Sequence, residues 1–430
     1  MIVGAVQMLF GGITNEYWFG IFTNSAGGNS RFYAAYPLGA GNIVAGITAT
    51  GSLPAVLSIS NTAVVNWATT SFPTTTDTGG ELAGLYVSSS NDIYAAGRSS
   101  GALNNNDMLL ASLTSAGAVS YLRKAARTAG TEEFLNDLVS DGTSLYVTGI
   151  HGFSSGGPTS ERDMYVGKYN TAGTIQWENK IGHSSTEDSG NGIGIDSSSN
   201  VYSAGASLNG GSFNNGFIVK YNSSGSLQWQ KLLTESSQHT NFSGITVSSA
   251  GDSYVVGYRR GNNPLIVKYN SSGSVSFQNE LLISSPSYGS FYKVFLAADG
   301  FVYAVGYAQG PVYLIGLIAK YSTSGVLQFQ RTIAHSSLNV EPNSITVSTS
   351  GVMYIVGRIG SNAFMAALPS DGTKTGTYGV YTYAASSYTD QATSLTESTP
   401  SFSSSSVSLT YSTPAATTAS QTITVTKQTV

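Results

Sequence analysis

Short runs in which apolar and polar residues alternate with period two dominate the chain, as in Gly244 to Ser248, Tyr254 to Tyr258, Leu265 to Tyr269 and Val275 to Leu281. Such alternation turns one face of a strand toward a core and the other toward solvent, while the period near 3.6 that marks a helix is nearly absent. Asn270-Ser271-Ser272-Gly273 separates two of these runs. It places turn-forming side chains and a glycine able to take positive φ where a tight hairpin needs them. The pattern predicts a chain of short antiparallel strands.

The runs recur. Lys168-Tyr169-Asn170-Thr171-Ala172-Gly173, Lys220-Tyr221-Asn222-Ser223-Ser224-Gly225, Lys268-Tyr269-Asn270-Ser271-Ser272-Gly273 and Lys320-Tyr321-Ser322-Thr323-Ser324-Gly325 are copies, and Trp177, Trp229, Phe277 and Phe329 follow four residues after each glycine. A second mark, an aromatic three residues before a glycine, gives Tyr94/Gly97, Tyr146/Gly149, Tyr202/Gly205, Tyr254/Gly257, Tyr303/Gly306 and Tyr354/Gly357, with Ile43/Gly46 as a weaker first member. These glycines are spaced by 51, 52, 56, 52, 49 and 51 residues, so seven units of four strands are expected. A repeat of that length marks a radial or stacked array, because one four-stranded sheet cannot bury both its faces alone.

The fold expected is therefore all-β, a seven-bladed β-propeller of four-stranded antiparallel blades with a C-terminal β arm. The blades fall near 31–73, 80–127, 133–183, 188–234, 241–284, 289–334 and 341–386. Three regions follow: 1–30 with closing or edge strands, 31–386 as the propeller, and 387–430 as the arm. The repeated aromatics are expected to fill the wedges between blades. Tyr17 to Thr23 is a surplus strand expected to close the ring or cap a blade.

Composition removes whole classes of function. Charged residues are 10% of the chain and apolar ones 41%, which excludes charge-driven disorder. The net charge of −4 has no basic run, so nucleic acid is not an expected partner. No cysteine is present, which removes disulfides, thiolate nucleophiles and Cys-ligated zinc. Met1 to Ile13 is apolar but has no preceding Lys or Arg and no small-residue cleavage pattern, so it reads as a strand and not as a leader. No apolar run is long enough for a spanning helix, and membrane insertion is not expected.

Tyr254-Val255-Val256-Gly257, followed by Ile266-Val267-Lys268-Tyr269-Asn270-Ser271-Ser272-Gly273-Ser274 and an aromatic, resembles the repeat of the seven-bladed β-propeller repeat proteins. The resemblance covers residues 42–370 and is clearest in units three to six; Ile43 and Ala366-Ala367-Leu368 depart from it in units one and seven. Similar repeats occur in bacterial surface proteins and in structural proteins of marine bacteriophages. The resemblance implies a non-enzymatic structural or adhesive component of an extracellular assembly, a virion tail, fibre or decoration protein. Its partners would be other protein subunits, with a surface glycan or receptor as a further contact. A carbohydrate-binding, lectin-like cell-surface propeller is the alternative. No catalytic residue, metal or cofactor is implied.

The residues offer few candidates for chemistry. His151, His183, His239 and His335 are expected in inter-strand or inter-blade loops, and positions one blade apart around a ring are too widely spaced for shared metal ligation. Glu132-Glu133 and Glu187-Asp188 are adjacent carboxylates before innermost strands, and Asp196-Ser197-Ser198-Ser199-Asn200 reads as a hairpin turn lacking the glycine and glutamate of a calcium loop. A site that clamps a carboxylate would need clustered arginines, and a tyrosine nucleophile would need a carboxylate base. Only Arg98, Arg259 and Arg358 share a place, just after the second strand, with Arg259 one position later. Three or more acidic and basic groups converging at one channel mouth would bring a glycosidase or lyase into play. The arm carries two alternating stretches, around Val407, Leu409 and Tyr411 and around Ile423 and Val425, which are expected to add to another subunit of the assembly.

Overall fold

The computed structural model describes residues 17–24, 30–38, 42–49, 54–70, 77–101, 106–126, 131–154, 162–183, 186–209, 211–259, 263–283, 288–407, 409–412 and 423–430. Met1 to Ile13 lies outside them. Every regular element among the described residues is a β-strand, and the strands form seven antiparallel sheets. No described helix is long and apolar enough to cross a membrane.

The protein is a seven-bladed β-propeller. Its innermost strands are Ser30–Leu38, Asp77–Val87, Thr131–Ser140, Asp188–Ile195, Thr240–Val247, Gly289–Leu296 and Val340–Val347. The hydrophobic core is divided into seven clusters, one in each seam between neighbouring blades; one of them joins Phe32 and Leu57 of blade 1 to Val356 and Met365 of blade 7. Burying apolar area in seams is what makes separate sheets one body.

The repeat signature has two physical causes. All seven innermost strands carry a bulge at the same place, between Phe32/Ala34, Leu82/Gly84, Leu135/Asp137, Gly190/Gly192, Phe242/Gly244, Phe291/Lys293 and Pro342/Ser344. Opposite it stand Gly97, Gly149, Gly205, Gly257, Gly306 and Gly357, where a Cβ would lie 1.8 to 2.1 Å from a carbonyl oxygen of the bulged strand. In these six blades only glycine fits that approach. In blade 1 the register gives this position to Ile47, which pairs with Phe32, so the first member of the series is Val44/Ile47 and not Ile43/Gly46. The second cause lies at the hairpins. Gly117, Gly173, Gly225, Gly273, Gly325 and Gly372 have positive φ, and each packs on the fourth-strand aromatic of the preceding blade: Trp67, Tyr121, Trp177, Trp229, Phe277 and Phe329. The repeat tyrosines Tyr94, Tyr146, Tyr202, Tyr254, Tyr303 and Tyr354 are buried in the seams, four of them under the repeat lysines.

The bounds of the seventh blade differ from expectation, while the segment Tyr17 to Thr23 closes the ring as expected. The fourth strand of blade 7 is Trp18–Asn24, paired with Asn362–Pro369, and not a segment near residue 380. Trp18 is fully buried and its Nε1 donates to Asn61 O at 2.7 Å, so it docks on the hairpin of blade 1 as the repeat aromatics dock elsewhere. The ring thus closes with an N-terminal strand in a C-terminal blade.

The arm expected to add to another subunit lies on its own ring instead. Tyr381–Ala385, with Gly376–Tyr378 outside it, extends blade 6; Thr389–Ala392, Thr396–Ser398, Ser403–Ser406 and Thr410–Ser412 extend blades 5, 4, 3 and 2; and Ile423–Thr429 lies along Trp18–Asn24. Leu409 is buried in the seam of blades 2 and 3 with Val407 packed beside it, Tyr411 pairs with Ala125, Ile423 with Asn24 and Val425 with Phe22. Each blade ends in a strand with a free edge, and tethering puts these edges at high effective concentration for the arm.

Candidate functional site

The bulges set the inner surface of the ring. Asn136, Asn191 and Asn343 sit at bulges and each donates through Nδ2 to a carbonyl of the next innermost strand, Gly190 O, Phe242 O and Phe32 O, at 2.8 Å in every case. The residue after the bulge is small in five blades, but it is Asp137 in blade 3 and Lys293 in blade 6. These two blades are not neighbours. Lys293 Nζ nevertheless lies 2.6 Å from Asp137 Oδ2, which also accepts from Ile193 N, so an ion pair crosses the channel.

At the mouth where the innermost strands begin, charged groups gather on blades 7, 1 and 2. Glu341 accepts from Arg358 and, at 3.2 Å, from Arg31 Nη2. Arg31 stands 5.9 Å over the Tyr33 ring, the Tyr33 hydroxyl hydrogen-bonds Glu81, and Glu81 Oε1 pairs with Arg98 Nε at 3.1 Å. One continuous chain therefore runs Arg358, Glu341, Arg31, Tyr33, Glu81, Arg98. Burial, then the Glu81 charge, pushes the Tyr33 phenol up to about 12, while Arg31 and Arg98 pull it down. It is a neutral hydrogen-bond donor at ordinary pH. Beside Glu341 the arc continues into half-buried tyrosines: Tyr292 and Tyr307 have ring centroids 5.2 Å apart, and Tyr288 lies 6.0 Å from Tyr307. Burial raises Tyr292, Arg31 opposing, and burial raises Tyr307, so these two phenols are also neutral.

Arg98 and Arg358 reach this mouth because each follows its repeat glycine directly and faces the residue before it on the inner strand, Glu81 and Glu341. Arg259 is one position later, and a slip of one residue turns a strand side chain to the other face. It pairs with Glu235 and Glu280, both at 2.7 Å, away from the cluster. Arg31 and Tyr33 had no signal in the repeat, since blade 1 departs from it.

The other candidates are scattered. His151 is buried, His239 Nδ1 accepts from Asn214 N at 3.1 Å, and His335 Nδ1 accepts from Ser337 N at 3.2 Å, with burial lowering its pKa. Among the described residues no three His, Asp or Glu side chains are placed to hold a metal ion. Glu133 is buried, the Glu132 side chain lies outside the described residues, and Glu187 pairs with Arg162 at 3.6 Å. Asp196 Oδ1 accepts from Ser198 N and Asn200 N, making the hairpin turn expected of it. On the outer rim, a cavity of about 750 Å³ is lined by Asp163, Lys180, Gly182, His183, Asn209 and Phe402, with Lys180 Nζ 2.6 Å from Asp163 Oδ2. Beneath Gly182, burial pushes the Asp188 carboxyl up to about 7; the Ser207 hydroxyl and the His183 amide oppose the shift and the Asp163 charge adds to it.

Residues 176–213 match the family model described as Beta-propeller repeat, across the third and fourth blades. No curated protein sequence matches the chain. Among solved structures the chain is similar to Sqt1 of Chaetomium thermophilum, at 10% identity and TM-score 0.44 over 81% of this chain and 97% of that one. It is similar to a polysaccharide lyase of a new family, the PL25 ulvan lyase, at 9% identity and TM-score 0.45 over 77% and 90%. The PQQ domain of pyranose dehydrogenase from Coprinopsis cinerea gives 11% and 0.39 over 82% and 97%. Likenesses this distant concern the ring and carry no activity across. The expectation of a non-enzymatic structural component is corrected on one finding: rings of enzymes, the ulvan lyase and the pyranose dehydrogenase domain, stand among those this ring resembles.

Proposed function

We propose that the channel mouth is the active site of a carbohydrate-active enzyme that takes a sugar bearing a carboxylate. The observation that carries this reading is the unbroken chain from Arg358 through Glu341, Arg31, Tyr33 and Glu81 to Arg98 at one end of the channel. Three guanidiniums against two carboxylates leave one net positive charge for an anion, and guanidinium is the group that receives a carboxylate in two-pronged fashion. Tyr33 and Glu81 form the nucleophile-and-base pair. Transfer of the phenolic proton to Glu81 frees the oxygen to attack the anomeric carbon as the glycosidic bond breaks; the leaving oxygen takes a solvent proton, and water then releases the sugar. The Lys293–Asp137 pair crosses the channel from blade 6 to blade 3.

The test is an assay of the purified chain against glycosides of acidic and of neutral sugars, following reducing ends and the absorbance of unsaturated uronates. Turnover of acidic substrates that Tyr33→Phe and Glu81→Gln abolish while binding persists supports the reading. Absence of both turnover and binding with every acidic sugar overturns it.

A further inference from the structure

The C-terminal arm has a hidden period. Tyr381, Tyr388, Leu395, Phe402 and Leu409 fall every seventh residue, and each packs into a different seam at the rim: those of blades 6 and 7, 5 and 6, 4 and 5, 3 and 4, and 2 and 3. Seven residues is the length of belt needed to step from one blade to the next. Ile423, two periods beyond Leu409, opens the last strand of the belt.

A matching set of clamps lies on the propeller. Directly after the repeat aromatics Phe329, Phe277, Trp229 and Trp177 stand Gln330, Gln278, Gln230 and Glu178, and each grips the main chain of one anchor. Gln330 binds both Tyr388 O, at 2.6 Å through Nε2, and Tyr388 N, at 3.1 Å through Oε1. Gln278 does the same to Leu395 at 3.2 and 3.1 Å; Gln230 donates to Phe402 O at 3.0 Å, and Glu178 accepts from Leu409 N at 3.0 Å. The corresponding residues of blades 2 and 1 are Leu122 and Ala68, which have no such group. A buried amide that satisfies both the N–H and the C=O of one residue fixes register as well as position.

The far end of the belt lies on the closure of the ring, where an N-terminal strand completes blade 7. Trp18–Asn24 pairs with blade 7 through five residue pairs, and Ile423–Thr429 covers its other edge through seven. We propose that the belt is a kinetic lock: the closing strand cannot leave blade 7 until Ile423–Thr429 has left it, and the clamps on blades 3 to 6 hold the belt in the register that keeps that strand in place. The lock acts on the rate of opening. The belt cannot dock before the blades it spans have formed, so its contacts are absent from the folding transition state.

Two variants of the full chain test this, with denaturant-jump kinetics followed by tryptophan fluorescence. The triple variant Gln230→Ala/Gln278→Ala/Gln330→Ala should unfold at least about tenfold faster, with a folding rate within about twofold of the parent. The chain has no cysteine, so Ile21→Cys/Thr426→Cys, at register partners of the closing strand and the belt, gives a single defined cross-link. Its oxidised form should unfold at least about tenfold more slowly than its reduced form. An unfolding rate unchanged by oxidation overturns the lock, as does a triple variant that unfolds at the parental rate or loses folding rate instead; the cross-linked variant decides the matter if the triple variant fails to fold.

Discussion

Blades 3 to 6 and blades 7, 1 and 2 are built on one plan and differ in what they do with it. In blades 3 to 6 the repeat is regular: lysine over tyrosine, aromatic against the next hairpin glycine, and Gln or Glu gripping the belt. Their channel-mouth positions hold Phe134, Ser189, Asn241 and Ser290, uncharged residues. In blades 7, 1 and 2 the repeat fails in places, with Ile47 at the glycine position, Ala363 to Leu368 without the lysine-tyrosine element, and no clamp in two blades; here the same positions hold Glu341, Arg31 and Glu81. Departures from a structural consensus gather where a chain does something other than hold its shape, and here they gather at the mouth proposed above as the active site.

That contrast can be broken experimentally. Trp18→Ala removes a fully buried ring from the seam of blades 7 and 1, inside the irregular sector, and should cost roughly 3–5 kcal/mol in chemical denaturation, with opening beginning at blade 7 in hydrogen exchange. A uniform loss of protection around the ring would contradict a special closing seam. In the regular sector, Gly205→Ala drives a methyl against Ser189 O and should cost about 3 kcal/mol. A cost under about 1 kcal/mol would mean the bulge relaxes and the glycine is not required.

Asp188 supplies a pH-dependent comparison. Its carboxyl is raised from 3.8 to about 7 by burial. At pH well below 3.8 it is protonated in folded and unfolded chains alike. Between these values the unfolded chain releases the proton while the folded chain keeps it, so stability falls as pH rises; above about 7 the deficit is constant. Asp188→Asn should therefore leave stability at acid pH unchanged and raise it by roughly 2 kcal/mol above neutrality, flattening the pH profile. A variant as sensitive to pH as the parent would locate the titration elsewhere. The smallest effect is expected at the mouth. Arg31→Ala or Arg358→Ala leaves Glu341 its other guanidinium and should change stability by only about 1 kcal/mol, because both arginines are partly solvated. A much larger loss from either would make these arginines part of the structural frame and remove the distinction between the sectors.

The propeller was legible because its signals are local and repeated. A glycine opposite a bulge and a hairpin followed by an aromatic recur with one spacing, and both are demands that a single blade makes of its own residues. The closing strand was harder to read, since Trp18 performs the task of the repeat aromatics without a lysine-tyrosine hairpin before it. The seven-residue period from Tyr381 to Leu409 was present in the letters, but serine and threonine surround it and its anchors change from tyrosine to leucine to phenylalanine. A period shared by five dissimilar residues means little until seams are there to receive them.

Of the mouth, only Arg98 and Arg358 left a signal in the repeat. Arg31 and Glu341 are 310 residues apart, and Lys293 and Asp137 are 156 apart; no spacing rule joins them. By itself the sequence determined the strand, the hairpin, the blade and the number of blades, because alternation, turn chemistry and the close approach at the bulge act within one unit of about fifty residues. Which blade would meet which across the seam and the channel was decided only by the tertiary structure. Closure of the ring is a condition on all seven units at once, and it brings together charges that interact through short distances in space and not through positions along the chain.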